Sequence, residues 1–185
     1  MRTSTTLTSA TTAITLAALL GGCAASSAAP SSQPTTFDTA AAEAKEKADA
    51  YAGSEKSLRA LYAETPKWLN SPMPIRLYAA REFRAQHNEW VAGLKRDGLT
   101  VKGSSQLVSI TPEEYMGVPR FQTTMKTCSI VTGGIYNKDG ENVTVDPSGK
   151  PVADKPHRVE SRYHLQRVPD DGRWEIIDET QLGPC

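Results

Sequence analysis

The sequence predicts an α+β domain in which N-terminal helices pack on one side of a curved antiparallel sheet. Three observations carry that expectation. Residues 38–96 are rich in helix formers with apolar positions at helical spacing, and from Leu99 onward the apolar period switches to two. Turn signals built on Gly, Asp and Pro separate the alternating stretches. Helices first and a meander after fit helices gathered on one face of one sheet.

Each element has its own signal. Asp38 to about Glu64 is rich in Ala, Glu and Lys, with Tyr51, Leu58, Leu61 and Tyr62 at helical spacing. Gly53-Ser54 weakens the case for one unbroken helix. Thr65–Pro74 holds three prolines and Trp68, which predicts an ordered crossing loop. A second helix is expected from about Ile75 to Arg96, aligning Ala79, Phe83, His87, Trp90 and Leu94, with a stop at Asp97-Gly98. In the following strand, Leu99, Val101 and Gly103 share one face while Val108 and Ile110 take the other parity. That predicts a bulge near Gly103–Ser105. Arg120–Val131 alternates Phe121, Thr123 and Met125 against Gln122, Thr124 and Lys126. A short strand is expected at Val143–Val145, between turns at Asp139-Gly140 and Asp146–Gly149. His157–Val168 sets Val159, Tyr163 and Leu165 against Arg158, Glu160, Arg162 and His164. The last strand groups Trp174, Ile176, Asp178, Thr180 and Leu182.

The chain carries 21 Lys+Arg and 21 Asp+Glu, a balance that argues against a nucleic-acid binder. Its first residues are unlike the rest. After Arg2 comes an uncharged Thr- and Ala-rich apolar stretch, from about Ala10 to Leu20, shorter than a membrane-spanning helix needs. It ends in Leu20-Gly21-Gly22-Cys23, which resembles the bacterial lipoprotein signal. The resemblance implies a signal peptide at 1–22 and a diacylglycerol on the Cys23 thiol. It places the protein at the extracytoplasmic face of a bacterial cell membrane, held by lipid. An ordinary secretory signal ending beside a chance Cys is the alternative. Residues 23–35 are small, polar and interrupted by Pro, the composition of a tether, and 36–185 are expected to be a single domain.

Three Cys are too few for a disulfide-framework miniprotein and lack zinc-site spacing. With Cys23 committed to lipid, Cys128 and Cys185 remain as an even pair in a compartment that permits disulfides. Their bond would close a loop of about 58 residues, worth roughly 4 kcal/mol by chain entropy. The alternative is a buried thiol and a stray terminal one.

Further features lie in the second half: Thr127-Cys128 in a strand, the Val145–Val152 turn segment, Gly172-Arg173-Trp174-Glu175-Ile176, and the closing Gly183-Pro184-Cys185. With the helix that joins through Gly98-Leu99, these make residues from about 75 to 185 resemble actinobacterial-type lipoproteins with a nuclear-transport-factor-2-like, cone-shaped domain. The resemblance implies a strongly bent sheet around a conical cavity and carries over no catalytic residue.

No phosphate loop, nucleophile elbow or His-Glu-x-x-His pattern is present, and no cofactor is expected. His157 and His164 are seven apart on one strand, which sends them to opposite faces and argues against a metal site. His87 and Asp178 each fall on a face expected to turn inward, and in a cone they could meet as a general-base pair. The plainer reading is a satisfied His at the rim and an Asp paired with Arg or capping a turn. Trp68, Trp90 and Trp174 read as core anchors rather than a stacking box. Arg158, Arg162, Arg167 and Glu160 read as a solvated strand face. The sequence points to a non-enzymatic, lipid-anchored domain that binds a small apolar ligand or an envelope partner. An isomerase, dehydratase or hydrolase using His87 and Asp178 is the second reading.

Overall fold

Helix α1 (Thr36–Glu64) runs unbroken through Gly53-Ser54. The reason lies on the sheet. A Cβ on Gly53 would sit 2.4 Å from Cδ1 of Trp174, so only glycine lets that indole lie against the helix. Ser54 is fully buried and shares a 2.7 Å hydrogen bond with the Thr123 hydroxyl, while Ser57 donates to the Trp174 carbonyl at 2.5 Å. Residues that lower helix propensity are therefore the ones that allow close approach. These elements belong to a computed structural model that describes residues Thr36–Cys185 apart from Leu77. The expected signal peptide, Cys23 and tether lie outside the described residues.

After a single 3-10 turn at Thr65–Lys67, the second helix departs from expectation: α2 spans Arg81–Arg96 and does not begin at Ile75. Ile75 is 78% exposed, and after a turn at Tyr78 the chain passes beside the last strand, where Ala79 bridges Ile176 in parallel. The Ile176 N–H donates to the Tyr78 carbonyl at 2.9 Å, and the Ala80 N–H donates to the Ile176 carbonyl at 3.0 Å. An outer strand presents unpaired backbone groups, and pairing them outweighs helical spacing in a stretch preceded by Pro72 and Pro74.

The four strands are β1 (Thr100–Met116), β2 (Gln122–Tyr136), β3 (His157–Arg167) and β4 (Trp174–Gly183), in the spatial order β1-β2-β3-β4 with every neighbour antiparallel. This is an α+β architecture, two helices on an open antiparallel sheet. The core lies between helices and inner sheet face, built from Leu58, Leu61, Phe83, Met125, Tyr163, Leu165, Trp174 and Ile176. In β1 the register shifts fall at Val108 and Glu113, not at Gly103–Ser105. Gly103 and Gly133 face each other in register at positive φ. A Cβ on either would meet the opposing backbone, at 1.8 Å and 2.2 Å, so the pair marks a close strand crossing rather than a bulge. The expected strand at Val143–Val145 is instead two isolated bridges, Tyr136 with Asn142 and Val145 with Pro151.

On the outer face, Arg162 pairs with Glu113 at 2.7 Å and Lys126 with Glu160 at 2.8 Å. Partly exposed pairs of this kind stabilise by about 1 kcal/mol or less each. The Gly183-Pro184-Cys185 tail reaches Cys128, with Cα atoms 6.0 Å apart and the sulfurs at disulfide-bonding distance. The bond joins the end of β4 to β2, past the intervening β3.

Candidate functional site

The site is created by one extra residue in β4. Leu165 pairs with Ile176 but His164 pairs with Asp178, so Ile177 is bulged out of the ladder. An inserted residue inverts the facing of everything after it. Trp174 and Ile176 turn inward before the bulge. After it, Glu179 and Gln181 turn inward opposite Tyr163 and Ser161, while Asp178 goes to the outer face opposite His164. The expected meeting of His87 and Asp178 is thereby corrected: strict alternation from Trp174 assigns Asp178 the wrong face. Leu182, 38% exposed, is itself left out of the ladder at a second register shift, between Gln181 and Gly183.

What His87 does face is a hollow of about 270 Å³ between the helices and the inner sheet face. Leu61 and Tyr62 of α1, Trp68 of the crossing loop, and Phe83, His87 and Trp90 of α2 form one side. Val131, Val159, Ser161, Tyr163, Glu179 and Gln181 form the sheet side. Phe83, Gln86, His87, Trp90, Glu179 and Gln181 also line its mouth. Larger grooves run along α1: one is bordered by α1, β1, β3 and β4 and the other by α1 and the end of β1, and both have walls that include exposed charged residues of α1, among them Lys45, Glu46 and Lys47.

His87 is half-buried. Its Nε2–H donates to the Ser71 carbonyl at 3.3 Å, and its ring meets Trp68 edge-on with centroids 4.7 Å apart. Burial holds the imidazole below its usual pKa, against the opposing pull of backbone carbonyls. Near neutral pH it is an uncharged ring.

Glu179 sits beside the hydroxyls of Tyr163 and Ser161, and desolvation pushes its carboxyl above the ordinary carboxylate value. Protein crowds it from sheet and helix, yet its side chain reaches water through the mouth, which moderates that shift. Among the described residues no Lys, Arg or His lies within salt-bridge distance of it. Burial likewise drives the Tyr163 hydroxyl well up. The Tyr62 hydroxyl links Tyr163 at 3.4 Å to Thr127 at 2.9 Å, and the two Tyr rings pack edge to face.

Trp68 is 5% exposed, and its indole N–H has no hydrogen-bond partner among the described residues. Trp174 is equally buried under α1, as expected of a core anchor, whereas Trp90 is 43% exposed at the mouth. His157 pairs opposite Val131 on the inner face and His164 opposite Thr124 on the outer one. Among the described residues no group of three His, Cys, Asp or Glu is placed to hold a metal ion. Sequence reasoning reads Tyr62 and Tyr163 only as inward-facing positions and does not name Glu179. The available signal was the Ile176-Ile177 doublet, where two apolar residues in succession allow the parity of a strand to change.

No helix among the described residues is long and apolar enough to cross a membrane. No family model and no curated protein matches the chain. Among solved structures it is similar to the intermembrane space region of the chloroplast protein ARC6. The two share 10% identity at a TM-score of 0.34, over 75% of this chain and 95% of that one, a likeness too slight to carry an argument.

Proposed function

We propose that this protein is a lipid-anchored extracytoplasmic binding domain, held to a bacterial cell membrane through Cys23, with residues 36–185 as a nuclear-transport-factor-2-like cone around a small ligand. The observation that carries the reading is the hollow: aromatic and aliphatic side chains interspersed with polar groups from both helices and all four strands. A space of about 270 Å³ suits a ligand of roughly ten non-hydrogen atoms. At roughly 0.5–0.8 kcal/mol per atom, such a ligand binds with a Kd between about 1 μM and 200 μM. The anchor rests on the Leu20-Gly21-Gly22-Cys23 motif, and the Cys128–Cys185 pair suits a disulfide-permissive compartment.

A non-enzymatic role fits better than the His87/Asp178 enzyme, because Asp178 points away from the hollow. Native mass spectrometry of the full chain, purified from its own membrane, tests the proposal. The expected species carries a small non-covalent adduct besides its acyl chains, and Cys23→Ala releases the protein from the membrane or strands its precursor. Co-purification of an envelope protein with an empty hollow would replace the ligand reading with a partner reading. A Cys23→Ala variant that matures and partitions like the wild type would overturn the anchor.

A further inference from the structure

The charge inventory of the hollow is one-sided. Its titratable groups are Tyr62 from α1, His87 from α2, Tyr163 from β3 and Glu179 from β4, while β1 and β2 contribute Ser105 and Ser129. Among the described residues neither Lys nor Arg lines it. An anion entering this space would meet Glu179 with nothing to neutralise either charge. A purely apolar ligand would strip water from Glu179 and leave it unpaired. A cation meets a carboxylate and aromatic side chains in one place, and both attract it.

The buried Trp68 indole supplies an independent observation. Its N–H has no acceptor among the described residues, although the ring is packed at the wall of the hollow. Buried donors in native proteins nearly always find a partner, so this one is free for a water or for an acceptor on a bound molecule. Taken with the binding reading above, on which this inference rests, we propose that the hollow takes a small organic ammonium ion that also carries a hydrogen-bond acceptor. The ammonium lies beside Glu179 and the Tyr163 ring, and the acceptor takes the Trp68 N–H.

Choline is a suitable probe, because it joins a quaternary ammonium to a hydroxyl within the available volume. Its controls are the neutral isostere with carbon in place of nitrogen, and the carboxylate analogue of that isostere. Calorimetry on the wild-type protein at neutral pH should show choline binding at least about tenfold tighter than the neutral isostere, and no binding of the carboxylate. Glu179→Gln should erase the preference, and Trp68→Phe should identify an indole N–H resonance that choline shifts in the wild type. If the neutral isostere binds as well as choline, the cation inference is wrong while the binding proposal stands. If no probe binds although the purified protein carries a native adduct, the inference again fails alone. If there is neither probe binding nor adduct, both fall. Should Glu179→Gln not fold, the wild-type ranking of the three probes decides the matter.

Discussion

The two ends of the inner sheet face are built from the same strands and differ in almost every other respect. Toward the start of β4, Trp174 and Ile176 lie closed under α1 with Leu165 and Met125, all 5% exposed or less. Past the bulge at Ile177, the inward residues of β4 are Glu179 and Gln181, and the helices stand off to leave a hollow. A single extra residue thus exchanges an apolar seam for a polar one within the same strand. Packing stabilises the first region, whereas the second contributes little burial and is held by its surroundings. The teaching is that the hollow is not a packing fault but a change of chemistry at a defined residue.

If the polar half of β4 contributes little burial, it should depend on the tail that ties it down. Replacing Cys128 and Cys185 together with Ser should cost about 4 kcal/mol of stability, read from urea midpoints, since the crosslink closes a long loop. Hydrogen exchange should rise first in residues 179–183. Uniform loosening of the whole sheet instead would mean that the two halves of β4 are not distinct units. Next in size, Ile176→Ala should cost about 3 kcal/mol, because a fully buried side chain leaves a cavity that the closed seam cannot fill. Trp90→Ala at the open end should cost less than about 1 kcal/mol despite the larger side chain, since that ring is 43% exposed. Comparable losses at the two positions would erase the contrast.

The closed end was legible in the sequence and the open end was not. Trp174, Ile176, Phe83 and Leu165 were readable as inward because alternation and helical spacing hold where packing is uniform. The order of elements and the Asp146–Gly149 turn, where the Asp146 carboxylate accepts the Ser148 and Lys150 N–H groups, followed from local rules. The Cys128–Cys185 pairing followed from counting. Three features depended on tertiary contacts that no local pattern encodes. Gly53 reads as a helix weakness until Trp174 is seen against it. Tyr78–Ala80 read as helix until the open edge of β4 is there to pair with. Glu179 reads as outward until Ile177 is left out of the ladder.

Gly53 also gives a test of sign. Ala is preferred over Gly in a helix by about 1 kcal/mol, so Gly93→Ala in α2 should stabilise by about 0.5–1 kcal/mol, its added Cβ meeting nothing nearer than Arg96 at 3.6 Å. At Gly53 the same change forces the Trp174 ring away, a strain that outweighs the propensity gain and leaves a net loss of about 1 kcal/mol. Equal stabilisation by both substitutions would show that α1 does not press on β4 as closely as described.

The smallest effect concerns pH and the open end itself. Glu179 has a pKa raised chiefly by desolvation, so the folded state holds its proton more tightly than the unfolded chain. Its contribution is therefore fully present below the ordinary value of 4.5 and is lost as pH rises through the raised value. His87 works in the opposite direction: lowered by burial, it contributes above its ordinary 6.5 and loses that contribution as pH falls through the lowered value. Comparing Glu179→Gln with wild type isolates the first group, because His87 is common to both. The variant should gain stability relative to wild type as pH rises from 4 to 8, and the gain should be small because the carboxylate reaches water through the mouth. Choline should cancel the gain, since a bound cation favours the ionised carboxylate in the folded state. A difference that runs the other way, with wild type gaining as pH rises, would mean that Glu179 already has a partner for its charge. In that case the hollow would not need a cation to complete it.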